Sequence, residues 1–185
     1  MMNVKYIYST SYLKSKYLEP IHLMPEYLVS PGFSKKKLKE KIKTIFGKSY
    51  NNLNIYENKL VFPRIYFADN IECFSNKHDL LNEISRASYK DLKKTGYVLD
   101  CENHKDKNYN IDIENSMLEI TKYTPDQISL NLNIKGNGII IITNSFHNSW
   151  KAYSENNEKK IFKINHAFWG LEVDESDKNI EFKYQ

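Results

Sequence analysis

The last third of the chain is organised around an unbroken run of four isoleucines. Ile139 to Ile142 follow the turn-forming sequence Gly136-Asn137-Gly138, and a polar loop begins after Thr143. Because β-branched side chains suit a pleated backbone and no helical period is present, the run predicts a strand buried on both faces. The next strand is predicted at residues 150–154, with Trp150 as the largest apolar anchor in this half.

Alternating patterns flank these two segments. Apolar and polar residues alternate on both sides of Pro125-Asp126 between residues 118 and 134, which predicts a hairpin. A turn is predicted at Asn156-Asn157, followed by one strand over residues 161–173 with a kink near Gly170 and a last strand over residues 180–184. Six or seven short strands at this spacing predict an antiparallel β-sandwich.

The first half of the chain mixes strand and helix patterns. Residues 3–9 predict a strand, and the proline-containing segment that continues to Ser30 predicts an irregular loop. A helix is predicted to begin after Ser34 and to end before Gly47. Its outer face is rich in lysine, and two interpretations are open: a solvated face, or a surface for membrane or nucleic acid.

A second helix is predicted inside a crossover unit. Short strands are predicted at residues 53–56 and 64–74, the second with a bend at Asp69-Asn70, and Asn76 is the predicted N-cap of the following helix. A strand at residues 96–100 completes the unit, so the strands that carry Cys73 and Cys101 are expected to be neighbours.

A polar stretch at residues 102–110 is the predicted boundary between two lobes. Residues 1–106 form the predicted α/β lobe and residues 107–185 the predicted sandwich, with one continuous domain as the alternative. The predicted fold class is therefore α+β: a C-terminal antiparallel β-sandwich preceded by a small α/β lobe with two helices.

Composition narrows the class of protein. The chain is 41% apolar and 27% charged, as in ordinary globular proteins, and its net charge of +4 is small for a dedicated nucleic-acid binder. No run approaches the roughly 18 apolar residues that span a bilayer, and the first residues lack the apolar core of a signal peptide. The sequence as it stands predicts a soluble chain with no signal peptide and no nucleic-acid partner. For Cys73 and Cys101, free thiols are the first interpretation and a single bridge the second.

An ordered set of motifs extends over nearly the whole chain. It comprises Asn3-Val-Lys-Tyr-Ile7, Asn54-Ile-Tyr-Glu-Asn58, Pro63-Arg-Ile-Tyr-Phe67, Tyr123-Thr-Pro-Asp-Gln-Ile-Ser-Leu130, Asn144-Ser-Phe-His-Asn-Ser-Trp150-Lys-Ala-Tyr153, Asn165-His-Ala-Phe168 and Ile180-Glu-Phe-Lys-Tyr184. This set resembles the C-terminal segment of bacterial YfhO-type membrane proteins, whose usual central motif is Tyr-Tyr-Pro-Gly-Trp-Lys-Ala-Tyr-Val-Asp-Gly. Here Asn148-Ser149 replaces Pro-Gly, and Glu155-Asn156-Asn157 replaces the Asp-Gly turn. Both replacements keep turn-forming residues.

The resemblance implies a role beside a membrane. YfhO-type proteins are similar to the multi-spanning GT-C class of lipid-linked sugar transferases, whose catalytic acidic residues belong to a loop between early spans that is absent here. The resemblance therefore implies a non-catalytic accessory domain on the extracytoplasmic face of a bacterial membrane. Its implied partners are the membrane-spanning part of the parent protein and a glycan or lipid-linked sugar that it binds or positions; scaffolding of the membrane part is also open. A freestanding carbohydrate- or protein-binding module is the alternative.

Aromatic and imidazole side chains are the candidate ligand-binding residues. They come from one loop and two nearby strands: His147, Trp150, Tyr153, His166 and Trp169. Aromatic faces match the apolar face of a pyranose ring and imidazoles add directional hydrogen bonds, so the set predicts a site for a sugar or a lipid-linked headgroup. Core packing is the rival interpretation for these rings.

No catalytic residue, metal site or cofactor is predicted. His147 and His166 lack further ligands at usable spacing for a metal. Two carboxylate pairs, Asp69 with Glu72 and Asp112 with Glu114, suit general acid–base chemistry only if they face a cleft, and solvated surface positions are the alternative. A small enzyme acting on saccharides remains a third possibility on that condition.

Overall fold

The chain divides into two compact units. A computed structural model describes residues 4–9, 13, 15–21, 54–99, 102, 104 and 107–185, and the units are Met1–Phe62 and Pro63–Gln185. The lysine-rich helix predicted after Ser34 lies outside the described residues. The boundary predicted at residue 106 falls inside the second unit, because strands from both sides of that position pair in one sheet.

The first unit contains a small antiparallel sheet. Its strands are β1 (Tyr6–Ser9), β2 (Leu18–Ile21) and β3 (Asn54–Asn58), in the order β1-β3-β2. Tyr56 on the central strand is buried, and its hydroxyl accepts a hydrogen bond from the Leu13 N–H at 3.0 Å. The prediction of an irregular loop is wrong for β2. Pro20 is compatible with this strand because β2 is an edge strand, where a missing donor breaks no ladder.

The described residues of the second unit include nine antiparallel strands arranged in two facing sheets. They are β4 (Ile65–Ala68), β7 (Met117–Tyr123), β8 (Gln127–Asn133), β9 (Gly138–Ile142), β10 (Trp150–Ser154), β11 (Asn157–Lys159), β12 (Phe162–Ile164), β13 (Phe168–Val173) and β14 (Asn179–Tyr184). One sheet has the order β11-β10-β14-β8-β7 and the other β12-β13-β9-β4. The predicted α+β class with an antiparallel sandwich is confirmed.

Alternation along the strands builds the core between the two sheets. Ile128, Leu130 and Leu132 of β8 are buried, whereas Asn131 between them is exposed. These side chains belong to one cluster with Phe182 from the same sheet and with residues of β4, β9 and β13 from the facing sheet. Each fully buried aliphatic side chain contributes about 1.5–3 kcal/mol, so this cluster is the main source of stability in the unit.

An α/β layer covers the other face of the four-stranded sheet. It consists of β5 (Asn70–Phe74), α1 (Lys77–Arg86), α2 (Tyr89–Lys94) and β6 (Thr95–Leu99), and β5 and β6 pair in parallel. Asn76 caps α1 by accepting from the Asp79 N–H at 2.9 Å. The predicted crossover and cap are confirmed. The prediction of one bent strand over residues 64–74 is wrong, because β4 and β5 belong to different sheets. The helix α2 was not predicted. All five residues of β9 are buried, as the isoleucine run predicts.

Two predicted features of the last third are wrong in detail. Residues 161–173 form the two antiparallel strands β12 and β13 rather than one kinked strand, because Asn165 and His166 turn the chain with φ of 48° and 69°. The turn after β10 lies one residue earlier than predicted. Glu155 and Asn156 adopt φ of 46° and 73° between the paired residues Ser154 and Asn157, as in a type I′ hairpin turn.

The cysteine interpretation also changes. Cys73 on β5 is disulfide-bonded, so the first interpretation, free thiols, is wrong. The sequence contains one other cysteine, Cys101, which lies outside the described residues.

Candidate functional site

Three of the five candidate residues meet at one corner of the sandwich. Trp150 stands at the start of β10, and its ring centroid lies 4.7 Å from that of Trp169 on β13. Trp169 is 1% exposed, and its Nε1–H donates to the Ser145 carbonyl at 2.9 Å. Trp169 is thus a core residue, and the half-buried Trp150 ring packs against it. Of the two tryptophans, only Trp150 has ring surface to offer a ligand.

His147 completes this corner from the loop between β9 and β10. Its ring is exposed and lies 5.9 Å from that of Tyr184, which in turn meets the Trp150 ring edge-on at 5.7 Å. The Ser149 N–H donates to His147 Nδ1 at 3.2 Å, so a neutral imidazole carries its proton on Nε2. We refer to Phe146, His147, Trp150 and Tyr184 as the aromatic corner.

Backbone hydrogen bonds fix the loop that carries His147. The Phe146 N–H donates to the Ala167 carbonyl at 2.7 Å, and the Gln185 N–H donates to the Ser149 carbonyl at 2.9 Å. The loop is therefore tied at one end to the β12–β13 turn and at the other to the residue after β14. A site held in this way loses little conformational entropy on binding.

A cavity of about 450 Å³ opens beside the aromatic corner. Phe146, His147 and Trp150 form its aromatic side. Its polar side includes Asn148 and an ion pair between Lys151 Nζ and Glu158 Oε1 at 3.1 Å. Aromatic rings beside amide, carboxylate and ammonium groups suit a sugar, whose ring has an apolar face and a rim of hydroxyl groups.

Tyr153 lines a different cavity, although it shares the outer face of β10 with Lys151. Because side chains alternate along β10, Tyr153 points away from the core-facing Ala152 and from Trp150. Its hydroxyl accepts from Gln185 Nε2 at 2.9 Å, and Lys183 Nζ lies 5.9 Å from its ring centroid. It lines a separate, polar cavity with Glu155 and Glu181.

His166 is also separate from the aromatic corner. It stands in the turn between β12 and β13 and lines a cavity bordered by α1 and β6. Burial and the nearby charges of Lys77 and Lys163 lower the pKa of His166 below its ordinary value. The neutral imidazole is therefore favoured there.

Sequence reasoning missed Tyr184 as a site residue. It was predicted only as part of the last strand, although it is 52% exposed and contacts both His147 and Trp150. The pairing of β10 with β14 explains this position, because Tyr184 lies directly opposite Trp150. Neighbours across a ladder share a face of the sheet.

Carboxylates of the two predicted acid–base pairs either stabilise a turn or are exposed to solvent. Asp112 accepts hydrogen bonds from the Asn115 N–H and Nδ2 at 3.2 and 2.7 Å, which stabilises its own turn. Glu72 and Glu114 are exposed. Within the described ranges, no three His, Cys, Asp or Glu side chains are placed to share a metal ion. Neither of the described helices is long and apolar enough to cross a bilayer.

Comparisons of the chain with protein-family models, curated proteins and solved structures find no significant match.

Proposed function

We propose that this chain is a non-catalytic extracytoplasmic domain of a membrane glycosyltransferase-like protein, and that its aromatic corner binds or positions a glycan or lipid-linked sugar. The observation that carries the proposal is the aromatic corner itself. A half-buried Trp150 ring, an exposed His147 imidazole and the Lys151–Glu158 ion pair border one cavity. This combination serves both faces of a sugar ring.

Two further observations support the extracytoplasmic part of the proposal. The disulfide at Cys73 is typical of proteins in oxidising compartments and is rare in the bacterial cytoplasm. The ordered motifs also resemble the C-terminal segment of YfhO-type proteins, and the sandwich accommodates both departures from that pattern. Glu155-Asn156 still forms a tight hairpin turn, and Asn148-Ser149 still precedes the tryptophan strand.

A glycan array with the 185-residue chain tests sugar binding. The array presents hexose and N-acetylhexosamine oligosaccharides, and isothermal titration calorimetry then measures the strongest binder. We expect Trp150→Ala and His147→Ala each to weaken binding about tenfold, which corresponds to about 1.4 kcal/mol. Tyr6→Ala is the matched control, because Tyr6 is an exposed aromatic residue of the other unit.

Three results would contradict the proposed site. One is an array without any binder. The second is loss of binding in Tyr6→Ala equal to that in Trp150→Ala, which would indicate non-specific aromatic contacts. The third is loss in Tyr153→Ala alone, which would move the site to the outer face of the sheet.

The membrane assignment needs a separate test, because a freestanding module would show the same sugar binding. The coding sequence on both sides of this segment is the discriminating observation. Hydrophobic spans there would support the membrane-bound parent. Flanking sequence without any span would favour the freestanding carbohydrate-binding module.

A further inference from the structure

A second cavity, distinct from the aromatic corner, combines an apolar floor with a cationic rim. Its volume is about 440 Å³, and it is lined by residues of α1, β6, the β12–β13 hairpin and the segment before β7. We call it the basic groove and define it by the floor residues Leu80, Tyr97 and Phe162 and the rim residues Lys160, Lys163 and His166.

The floor is largely apolar and closely packed. Leu80 is 1% exposed and Tyr97 2% exposed. The Phe162 ring lies against Gly170, where an added Cβ would come within 2.5 Å of the ring, and packs on the His104 ring at a centroid distance of 4.5 Å. Gly170 is therefore required for this close approach. The Phe162 ring is half-buried and lines the groove.

The single carboxylate among the described lining residues is already satisfied. Glu172 accepts hydrogen bonds from Lys107 Nζ, from the Tyr109 hydroxyl at 2.7 Å and from His104 Nδ1 at 2.9 Å. Its charge is thus matched on one side of the groove by Lys107. Glu172 is therefore not available to neutralise the positive charges of the rim.

The rim carries surplus positive charge. Lys160 and Lys163 are exposed, and neither forms an ion pair or side-chain hydrogen bond within the part of the chain that the structure describes. Lys77 at the start of α1 adds a further positive charge near the groove, because its charge helps to lower the pKa of His166. Among the described lining residues the cations of the rim have no acidic partner, which favours the binding of an anion.

We propose that the basic groove binds an organic phosphate ester. The phosphate oxygens are held by the Lys160 and Lys163 ammonium groups and the His166 imidazole, and the carbon portion of the ligand lies on Phe162. A phosphate offers several strong acceptors to several separate donors, whereas a carboxylate offers two oxygens in one plane. The cavity volume suits a small-molecule ligand. The basic groove shares Lys160 with the cavity beside the aromatic corner. The proposal does not depend on the proposed function, because it is argued from Phe162, Lys163 and His166, which line only the groove.

Backbone amide NMR titration of the 185-residue chain tests the proposal. The probes are inorganic phosphate, glucose 1-phosphate and octyl phosphate, with glucose and octanol as the uncharged counterparts. We expect saturable shifts at Phe162, Lys163 and His166 with the phosphates and no such shifts with glucose or octanol. A sugar phosphate that binds more tightly than octyl phosphate indicates a soluble or glycan source, and the reverse order indicates a lipid source.

Single substitutions separate the groove from general surface charge. Lys163→Gln and His166→Asn should each weaken phosphate-ester binding about fivefold or more, and asparagine tolerates the left-handed backbone at position 166. Lys135→Gln is the matched control, since Lys135 is an exposed lysine on the turn after β8 that lines no part of the groove. Lys160 also lines the cavity of the aromatic corner and is therefore left unchanged.

Two further readouts do not depend on loss of binding. Glu172→Gln removes the negative charge from the groove and releases Lys107, so it should tighten phosphate binding. Bound phosphate should raise the pKa of His166, which NMR titration of the imidazole measures directly. Affinity unchanged in both Lys163→Gln and His166→Asn, or equal losses in Lys135→Gln, would overturn the proposal. So would shifts that spread over surface lysines without saturation.

Discussion

Asn165 and Tyr97 exchange two hydrogen bonds that join the β12–β13 hairpin to the α/β layer. The Asn165 N–H donates to the Tyr97 carbonyl at 2.8 Å, and the Tyr97 N–H donates to Asn165 Oδ1, also at 2.8 Å. Within the described residues, Asn165 Nδ2 has no hydrogen-bond partner. Burial raises the pKa of Tyr66, and the nearby Asn165 side chain offsets part of that rise. Asn165 therefore has two roles: it forms the β12–β13 turn, and its hydrogen bonds join that turn to β6.

Substitution of Asn165 should separate these two roles. Asn165→Gly keeps the left-handed backbone without strain but leaves the buried Tyr97 N–H unpaired, which should cost about 1–3 kcal/mol of unfolding free energy. Asn165→Ala loses the same bond and adds about 1–2 kcal/mol for a Cβ in the left-handed region. Urea unfolding followed by far-UV circular dichroism should rank the chains wild type, Gly and then Ala. Equal stability of the Gly and Ala variants would show that the backbone at position 165 is unstrained.

The two tryptophans should respond differently to truncation. Trp169→Ala empties a fully buried site between the sheets and should cost about 3–5 kcal/mol. Trp150→Ala removes a half-buried ring and should cost about 1–2 kcal/mol. Urea unfolding followed by far-UV circular dichroism measures both without relying on tryptophan fluorescence. A larger loss in Trp150→Ala would contradict the assignment of Trp169 as the core residue.

Local patterns in the sequence were sufficient to predict much of the sandwich. The isoleucine run, the hairpin around Pro125-Asp126 and the Asn76 cap depend on side-chain shape, alternation and turn chemistry within a few residues. The β12–β13 turn was missed because it contains neither glycine nor proline. Its direction depends on Asn165 in the left-handed region, where the Tyr97 N–H, 68 positions away in the chain, stabilises it.

The candidate site was predicted only in part, because some of its contacts join residues that are distant in the sequence. Trp150 and Tyr153 are three positions apart on one strand, so their opposite orientation could have been inferred from alternation. The contact between Trp150 and Trp169 could not, because it joins the two sheets across the core. The basic groove was missed altogether, since its residues lie on four separate segments and share no local pattern.

The turn between β10 and β11 is a place where the protein can be stabilised. Glu155 and Asn156 both have positive φ, a conformation that the pair Asn-Gly adopts most readily in two-residue hairpins. The double variant Glu155→Asn, Asn156→Gly should therefore gain about 1 kcal/mol. Differential scanning calorimetry measures the gain as a higher Tm. Glu155→Ala is the control and should not stabilise, because alanine does not favour the left-handed region; an equal rise in Tm would argue against the type I′ assignment.

The Glu172 carboxylate should make stability depend on pH in the acidic range. Burial acts to raise its pKa, but hydrogen bonds from Lys107 and Tyr109 and the charges of Lys107 and His104 outweigh burial, so the pKa lies below its ordinary value of 4.5. The unfolded chain then binds a proton at a higher pH than the folded chain does. The contribution of Glu172 is complete above about pH 5 and is lost as the pH falls through 4.5 toward the lower folded-state pKa.

Glu172→Gln tests this dependence. Above about pH 5 the variant should be less stable than wild type by about 1–3 kcal/mol, because a charged acceptor is lost. The difference should shrink below pH 4.5, where wild type loses the same contribution. Urea unfolding at a series of pH values measures it. Glu119→Gln, which replaces an exposed carboxylate on β7, should follow wild type throughout. A wild-type advantage over Glu172→Gln that stays constant down to about pH 3 would show that this carboxylate gains nothing from Lys107 and Tyr109 in the folded state.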